Sequence, residues 1–128
     1  MNAKRGFTFD AGALIAFERG EQRVRAILQQ ASASDRPITV PAAIVAETWR
    51  GGRRPWLEDL LAIAEVEPLT DELARRAGEL LARTRTSNTI DATVAVSAAQ
   101  RGDIIVTSDP EDMQRFADDL PAFRVLGL

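Results

Sequence analysis

Short apolar runs alternate with helix-patterned segments along the chain, and that alternation restricts the fold class more than any other feature. "FTFDA" (7–11), "ITV" (38–40), "VEPL" (66–69), "DIIVTS" (103–108) and "FRVL" (123–126) each read as a strand. They are short and mostly apolar, as expected of strands buried in a sheet. Between them, residues 12–18 turn into a helix, and "EQRVRAILQQA" (21–31) sets Val24, Ile27, Leu28 and Ala31 at helical spacing. Pro41 is expected in the first turn of a helix running to about Arg50, which Gly51 and Gly52 end. A helix over 56–64 follows, and Thr70 is placed to cap another over 71–85. Ser87 or Asn88 opens a helix to about Gln100 that Gly102 stops, and a last helix starts at Pro110. Strands alternating with helices predict an α/β fold, with a short, mostly parallel sheet of four to five strands flanked by helices. Ligands of such sheets bind outside the carboxyl ends of the strands. Residues that end strands are therefore the first candidates for function.

The chain of 128 residues is expected to form one domain over 1–128. No apolar run approaches the ~20 residues of a membrane span, and no leader peptide is seen before the first strand, so the expected location is cytoplasmic. The chain has no Cys, His or Tyr. Disulfides, thiolate metal sites, thiol nucleophiles and imidazole bases are thereby excluded. Catalysis is left to carboxylates, hydroxyls, basic side chains, or a metal held by oxygen ligands, which means a hard ion such as Mg²⁺ or Mn²⁺. The net charge of −3 is not that of a general nucleic-acid binder, yet among sixteen basic residues Lys4 is the only lysine. Arginine suits phosphate. It clusters at Arg50, Arg53, Arg54 and at Arg75, Arg76, Arg83, Arg85, where the ordinary reading is a solvated helix face paired with acids.

Four acids stand out. Asp10 ends the first strand, where it is also a natural helix cap. Glu47 sits in the helix after the second strand on a face with Ala43, Ile44 and Gly51, with Arg50 and Arg54 as its ordinary partners. Asp91 shares a face with Ala95, Ala98 and Ala99, company in which a carboxylate needs a cation or hydrogen bonds. It also falls at the third helical position if Asn88 is the cap, which the helix dipole favours. Asp109 follows the fourth strand and precedes Pro110, a common helix start, with Asp112 three residues on. Singly, each has a plain structural explanation. Carboxylates converging at strand ends repel one another, and a divalent cation resolves the conflict.

The segments "FDAGALIAF", "VPAAIVAETWRG", "NTIDATVAVSAA" and "DIIVTSDPEDM", in this order and spacing, resemble PIN-domain ribonucleases, and among them the VapC toxins of VapBC toxin–antitoxin pairs. The resemblance covers essentially the whole chain and implies a PIN-like three-layer fold. It implies that Asp10, Asp91 and Asp109 are ligands of Mg²⁺ or Mn²⁺, directly or through water, and that Glu47 orients or deprotonates the attacking water. Thr107 and Ser108 match the polar pair before the last acid, and Asp112 a frequent additional one. The small hydroxyl residue usual after the first Asp is missing, since "DAG" stands there. The implied activity is hydrolysis of RNA by the toxin of a type II module. The cluster Arg50, Arg53 and Arg54, read from the sequence itself as a local basic rim, supplies the candidate RNA contacts. The implied partners are RNA, a VapB-type antitoxin and a second copy in a homodimer. Trp49 and Trp56, flanking "RGGRRP", belong either to the core or hydrophobic edge or to the antitoxin surface.

The main alternative is a catalytically inactive PIN-like module that binds RNA or protein. A phosphotransfer enzyme fits poorly. A dehalogenase-type phosphatase needs Asp where Gly12 stands, and a receiver domain needs a strand-end lysine.

Overall fold

The computed structural model describes residues 5–120 and 123–128. Residues 1–4, on which the reading of a leaderless start rests, lie outside the described residues. Five strands, β1 (Phe7–Phe9), β2 (Ile38–Pro41), β3 (Glu65–Glu67), β4 (Ile104–Thr107) and β5 (Arg124–Gly127), form one sheet in the order β3-β2-β1-β4-β5. All four pairings are parallel, so the expectation of a mostly parallel sheet holds in full.

The described helices are α1 (Ala11–Glu18), α2 (Gln22–Ala33), α3 (Ala42–Thr48), α4 (Pro55–Ile63), α5 (Asp71–Thr84), α6 (Thr89–Arg101) and α7 (Pro110–Gln114), with a 3-10 turn at Ala117–Asp119. The chain steps outward from β1 to β2 to β3, then returns past β1 to β4 and on to β5. Right-handed crossovers running in opposite directions place their helices on opposite faces. Accordingly α1 packs on α2, α3 and α4 on one side, while α6 packs on α5 and α7 on the other. The result is three layers.

The central strands are buried on both faces, with Phe7, Phe9, Val40, Ile105 and Val106 in the core. This is why they read in sequence as continuous apolar runs. Helix α6 approaches the sheet on Ala92, Ala95 and Ala98, all buried, because small side chains allow close packing. The caps fall as expected: Thr70 Oγ1 accepts from Leu73 N–H at 3.1 Å, and Asn88 Oδ1 accepts from Asp91 N–H at 2.9 Å. Gly102 ends α6 with φ +71°. Pro41 departs from expectation: it is the last residue of β2, extended at φ −60° and ψ 142°, and α3 begins only after it and ends at Thr48. Gly51 therefore lies beyond the helix face on which Glu47 sits.

At the amino ends of the strands is a polar cluster that the sequence did not announce. Asp103, 3% exposed, accepts from Gly6 N–H at 3.2 Å, Thr8 Oγ1 at 2.8 Å and Arg101 Nε at 3.0 Å. Arg101 also donates to Thr8 Oγ1 and Ser97 Oγ and pairs with Glu67. Among the described residues no helix is long and apolar enough to cross a membrane.

Candidate active site at the carboxyl ends of the central strands

Strands β1 and β4 are neighbours whose chains leave in opposite directions, β1 towards β2 and β4 towards β5. That is a topological switch point, where an open parallel sheet presents a crevice. The pairing aligns Phe9 with Val106, so the next residues out are Asp10 and Thr107, and Asp10 N–H donates to Val106 O at 3.3 Å. The backbone alone puts one acid at the mouth of this crevice and Asp109 two residues beyond the end of its neighbour.

Asp10 is both cap and site residue. Its Oδ1 accepts from Ala13 N–H at 3.0 Å, closing the first turn of α1. Burial pushes the carboxyl above its ordinary value of 3.8; the Thr107 hydroxyl and the Ala13 N–H oppose this, and the charges of Glu47 and Asp109 reinforce it. Asp91 is the third residue of α6, as expected, and is half-buried. Desolvation, then the charge of Asp10, then those of Asp112, Glu47 and Asp109, push it up to about 6.

Asp109 occupies the position before α7, but its side chain makes no capping hydrogen bond. Its exposed carboxyl turns towards Asp112, and the hydrogen bond with that side chain, which favours the protonated form, is the chief reason its pKa is raised. Asp10 thus makes a full capping hydrogen bond, whereas Asp109 holds the cap position of α7 with its carboxyl beside both the side chain and the N–H of Asp112. Asp112 is half-buried at the third position of α7 and faces Arg115 at 3.4 Å.

Glu47 is exposed near the end of α3, and its ordinary partners are engaged elsewhere. Arg50 donates to the carbonyls of Ala46 and Trp49 at 3.0 and 2.9 Å. Arg54 pairs with Glu18 and donates to Thr48 O at 2.7 Å. Arg53 is exposed and makes no hydrogen bond or ion pair among the described residues. The three arginines are thus not one unit: Arg50 and Arg53 are exposed, and of the three Arg53 alone makes no hydrogen bond or ion pair among the described residues. In the second cluster, Arg75, Arg76 and Arg83 pair with Asp71, Glu72 and Asp119, the ordinary role.

Asp10, Glu47, Asp91 and Asp109 form no ion pair among the described residues. They share one field, as their mutual effects on Asp10 and Asp91 show. The donor set is all oxygen and anionic, which fits a hard divalent cation. Among the described residues, no three of the acids close around a point as a ready metal cage. The set is open, as uncompensated like charges favour.

Thr107 is fully buried, and its Oγ1 accepts from Asp109 N–H at 2.9 Å. Ser108 is exposed, yet its side chain lies over Gly12: a β-carbon on Gly12 would stand 1.9 Å from Ser108 Oγ. Trp49 and Trp56 are exposed (36% and 49%) rather than core. Trp56 meets the Phe17 ring edge-on at 6.2 Å, and the Arg25 guanidinium stacks 4.4 Å from its centroid.

A three-layer α/β domain with acids gathered at its switch point is the architecture, and the family model for the PIN domain matches residues 7–119. The chain belongs to the PIN domain family. Its fold is similar to a chain in the crystal structure of VapBC2 from Rickettsia felis bound to a DNA fragment from their promoter. That likeness has a TM-score of 0.69 at 14% identity, covering 95% of this chain and 98% of that one. It is similar also to a chain in DNA-bound VapBC from Salmonella typhimurium, with a TM-score of 0.70 at 18% identity over 97% and 98%. No curated protein matches the chain.

Proposed function

We propose that this protein is an endoribonuclease dependent on Mg²⁺ or Mn²⁺ and acts as the toxin of a VapBC-type toxin–antitoxin pair. The observation that carries the proposal is the acid set at the β1–β4 crevice, where burial raises Asp10 and Asp91, neighbouring acids raise both further, and no arginine pairs with either among the described residues. Asp10, Asp91 and Asp109 hold the ion, directly or through water, with Asp112 at the margin. When bound, a divalent cation lowers the pKa of water and stabilises charge on a phosphodiester in transit, chemistry that a chain without His or Cys otherwise lacks. Glu47, exposed and unpaired, orients the attacking water or takes its proton. Thr107 favours the charged form of Asp10 against the burial that raises it and fixes the backbone of Asp109.

The fold neighbours from VapBC complexes support a VapB-type antitoxin as partner, and a homodimer is the assembly that the family resemblance implies. The exposed Ile15, Trp49 and Trp56 lie on or beside α1, α3 and α4, helices that pack together on one side of the sheet. They offer an apolar surface for that partner. The cytoplasm is the location that goes with this activity.

The test is RNA cleavage by purified protein with Mg²⁺ or Mn²⁺, abolished by EDTA and by Asp10→Ala or Asp91→Ala. A folded Asp91→Ala protein that cuts RNA as fast as the wild type refutes the proposal. The open spacing of the acids favours one competing reading, a PIN module that binds RNA or protein without cutting. Calorimetry showing RNA affinity but no uptake of Mn²⁺ would select it.

A further inference from the structure

Gly12 is the second residue of α1 and has nothing in its own helix to justify a glycine. Glycine is a poorer helix former than alanine, by up to about 1 kcal/mol in a helix interior and less in a first turn, and the conformation here does not need its freedom, since Gly12 is not among the residues at positive φ. The reason lies 96 positions away. A β-carbon at Gly12 would stand 1.9 Å from Ser108 Oγ, 3.0 Å from Ser108 Cβ and 3.4 Å from Ser108 N. The end of β4 therefore seats its side chain in the notch that Gly12 leaves in the first turn of α1.

Both neighbours of this contact bear on the acids. Asp10 caps the same turn of α1, and Asp109 follows Ser108 directly, its N–H held by Thr107 Oγ1 at 2.9 Å. The turn leaving β4 is thus pinned twice, by Thr107 from within the sheet and by Ser108 against α1. We propose that Gly12 and Ser108 are a matched positioning pair, in which a side chain of serine size in a side-chain-free notch sets how closely Asp109 approaches Asp10. This rests on the proposed function for its consequence, the grip on a divalent cation. The contact itself stands on the geometry.

The test is a size swap, with Mn²⁺ titrated calorimetrically into full-length wild type, Gly12→Ala, Ser108→Gly and the double variant, and melting of each recorded without metal. Alanine is the better helix former, so without the contact Gly12→Ala would be neutral or stabilising. Gly12→Ala is expected to weaken Mn²⁺ binding about tenfold or more, as changes to groups that orient ligands do, and to lower the melting temperature. Adding Ser108→Gly makes room for the new methyl group and restores most of both. A pair that is structural only would move the melting temperature and leave Mn²⁺ affinity in place, which overturns the proposal. So does a Gly12→Ala protein that binds Mn²⁺ like the wild type, or a loss that Ser108→Gly does not recover. Wild type that takes up no Mn²⁺ refutes the proposed function itself, a result separate from any difference among the variants.

Discussion

Asp10 and Thr107 face each other at the ends of two adjacent parallel strands, and the Thr107 hydroxyl serves two acids at once. It accepts from Asp109 N–H at 2.9 Å and stabilises the charged form of the Asp10 carboxyl. Replacing it by valine keeps shape and burial while removing both roles. Thr107→Val is expected to fold, to lose about 1–2 kcal/mol of stability, and to bind Mn²⁺ about tenfold more weakly. Denaturant titration and calorimetry read the two effects. Unchanged Mn²⁺ affinity in the folded variant would show that the hydroxyl is only structural.

The raised carboxyls make a signed prediction about pH. Asp91 moves from 3.8 to about 6 on folding, so between these values the folded state holds a proton that the unfolded chain releases. Unfolding then sheds protons, and the stability that Asp91 allows falls as pH rises through this window and levels off above it. Asp91 is half-buried, so solvent screening reduces the effect to the order of 1 kcal/mol. Asp10 shifts the same way. A bound cation reverses the trend, because carboxylates bind it only when deprotonated. Melting from pH 4 to 7.5, with and without Mn²⁺, compared with Asp91→Asn, isolates that carboxyl's share. If the metal-free difference between wild type and Asp91→Asn does not change across the window, the Asp91 environment is misassigned.

Much of this was legible because the relevant forces are local. Buried central strands must be apolar, so β1, β2 and β4 could be read, and the rule of the carboxyl ends singled out Asp10 and Asp109. The exposed edge strand β3 falls at Glu65–Glu67 rather than at the expected 66–69. Asp91 betrayed itself by its alanine neighbours. What escaped depends on distant partners. Asp103 looks like the polar first residue of a strand, and only the fold brings Thr8 and Arg101 to it. "DAG" looks like a missing hydroxyl after Asp10, whereas Ser108 fills the space at Gly12. Trp49 and Trp56 belong by composition in a core, yet α4 turns Trp56 outward beneath the Arg25 guanidinium. The ordinary alternative for Glu47, a pair with Arg50 or Arg54, fails because carbonyls at the end of α3 hold both arginines and Glu18 pairs with Arg54.

The Asp103 cluster makes a prediction that separates stability from function. Asp103 is almost fully buried and answers Arg101, Thr8 and the Gly6 N–H. Asp103→Ala leaves Arg101 with Glu67 as its only carboxylate and orphans two donors, which costs about 3 kcal/mol or more. Urea unfolding should show that loss, while Mn²⁺ affinity at the opposite ends of the strands stays within error where the variant is folded. A Mn²⁺ affinity that falls with Asp103 would mean that the two ends of the sheet are coupled.

The arginines after α3 divide by what already holds them. Arg54 is committed, paired with Glu18 and bonded to Thr48 O, so Arg54→Ala should loosen residues 49–54 and lower the melting temperature. Arg53 is exposed and has no partner among the described residues, so Arg53→Ala should leave melting unchanged. If this loop lines the path of RNA, Arg53 is the residue with a free guanidinium to offer a phosphate. Its removal should weaken RNA binding and reduce the dependence of log affinity on log salt by about one. The assay is RNA binding by Asp91→Asn protein, which the proposed mechanism leaves unable to cut, across a salt series. An unchanged salt slope in Arg53→Ala would remove this loop from the RNA surface, and a reduced slope in Arg54→Ala alone would mean that the Glu18 pair opens when RNA arrives.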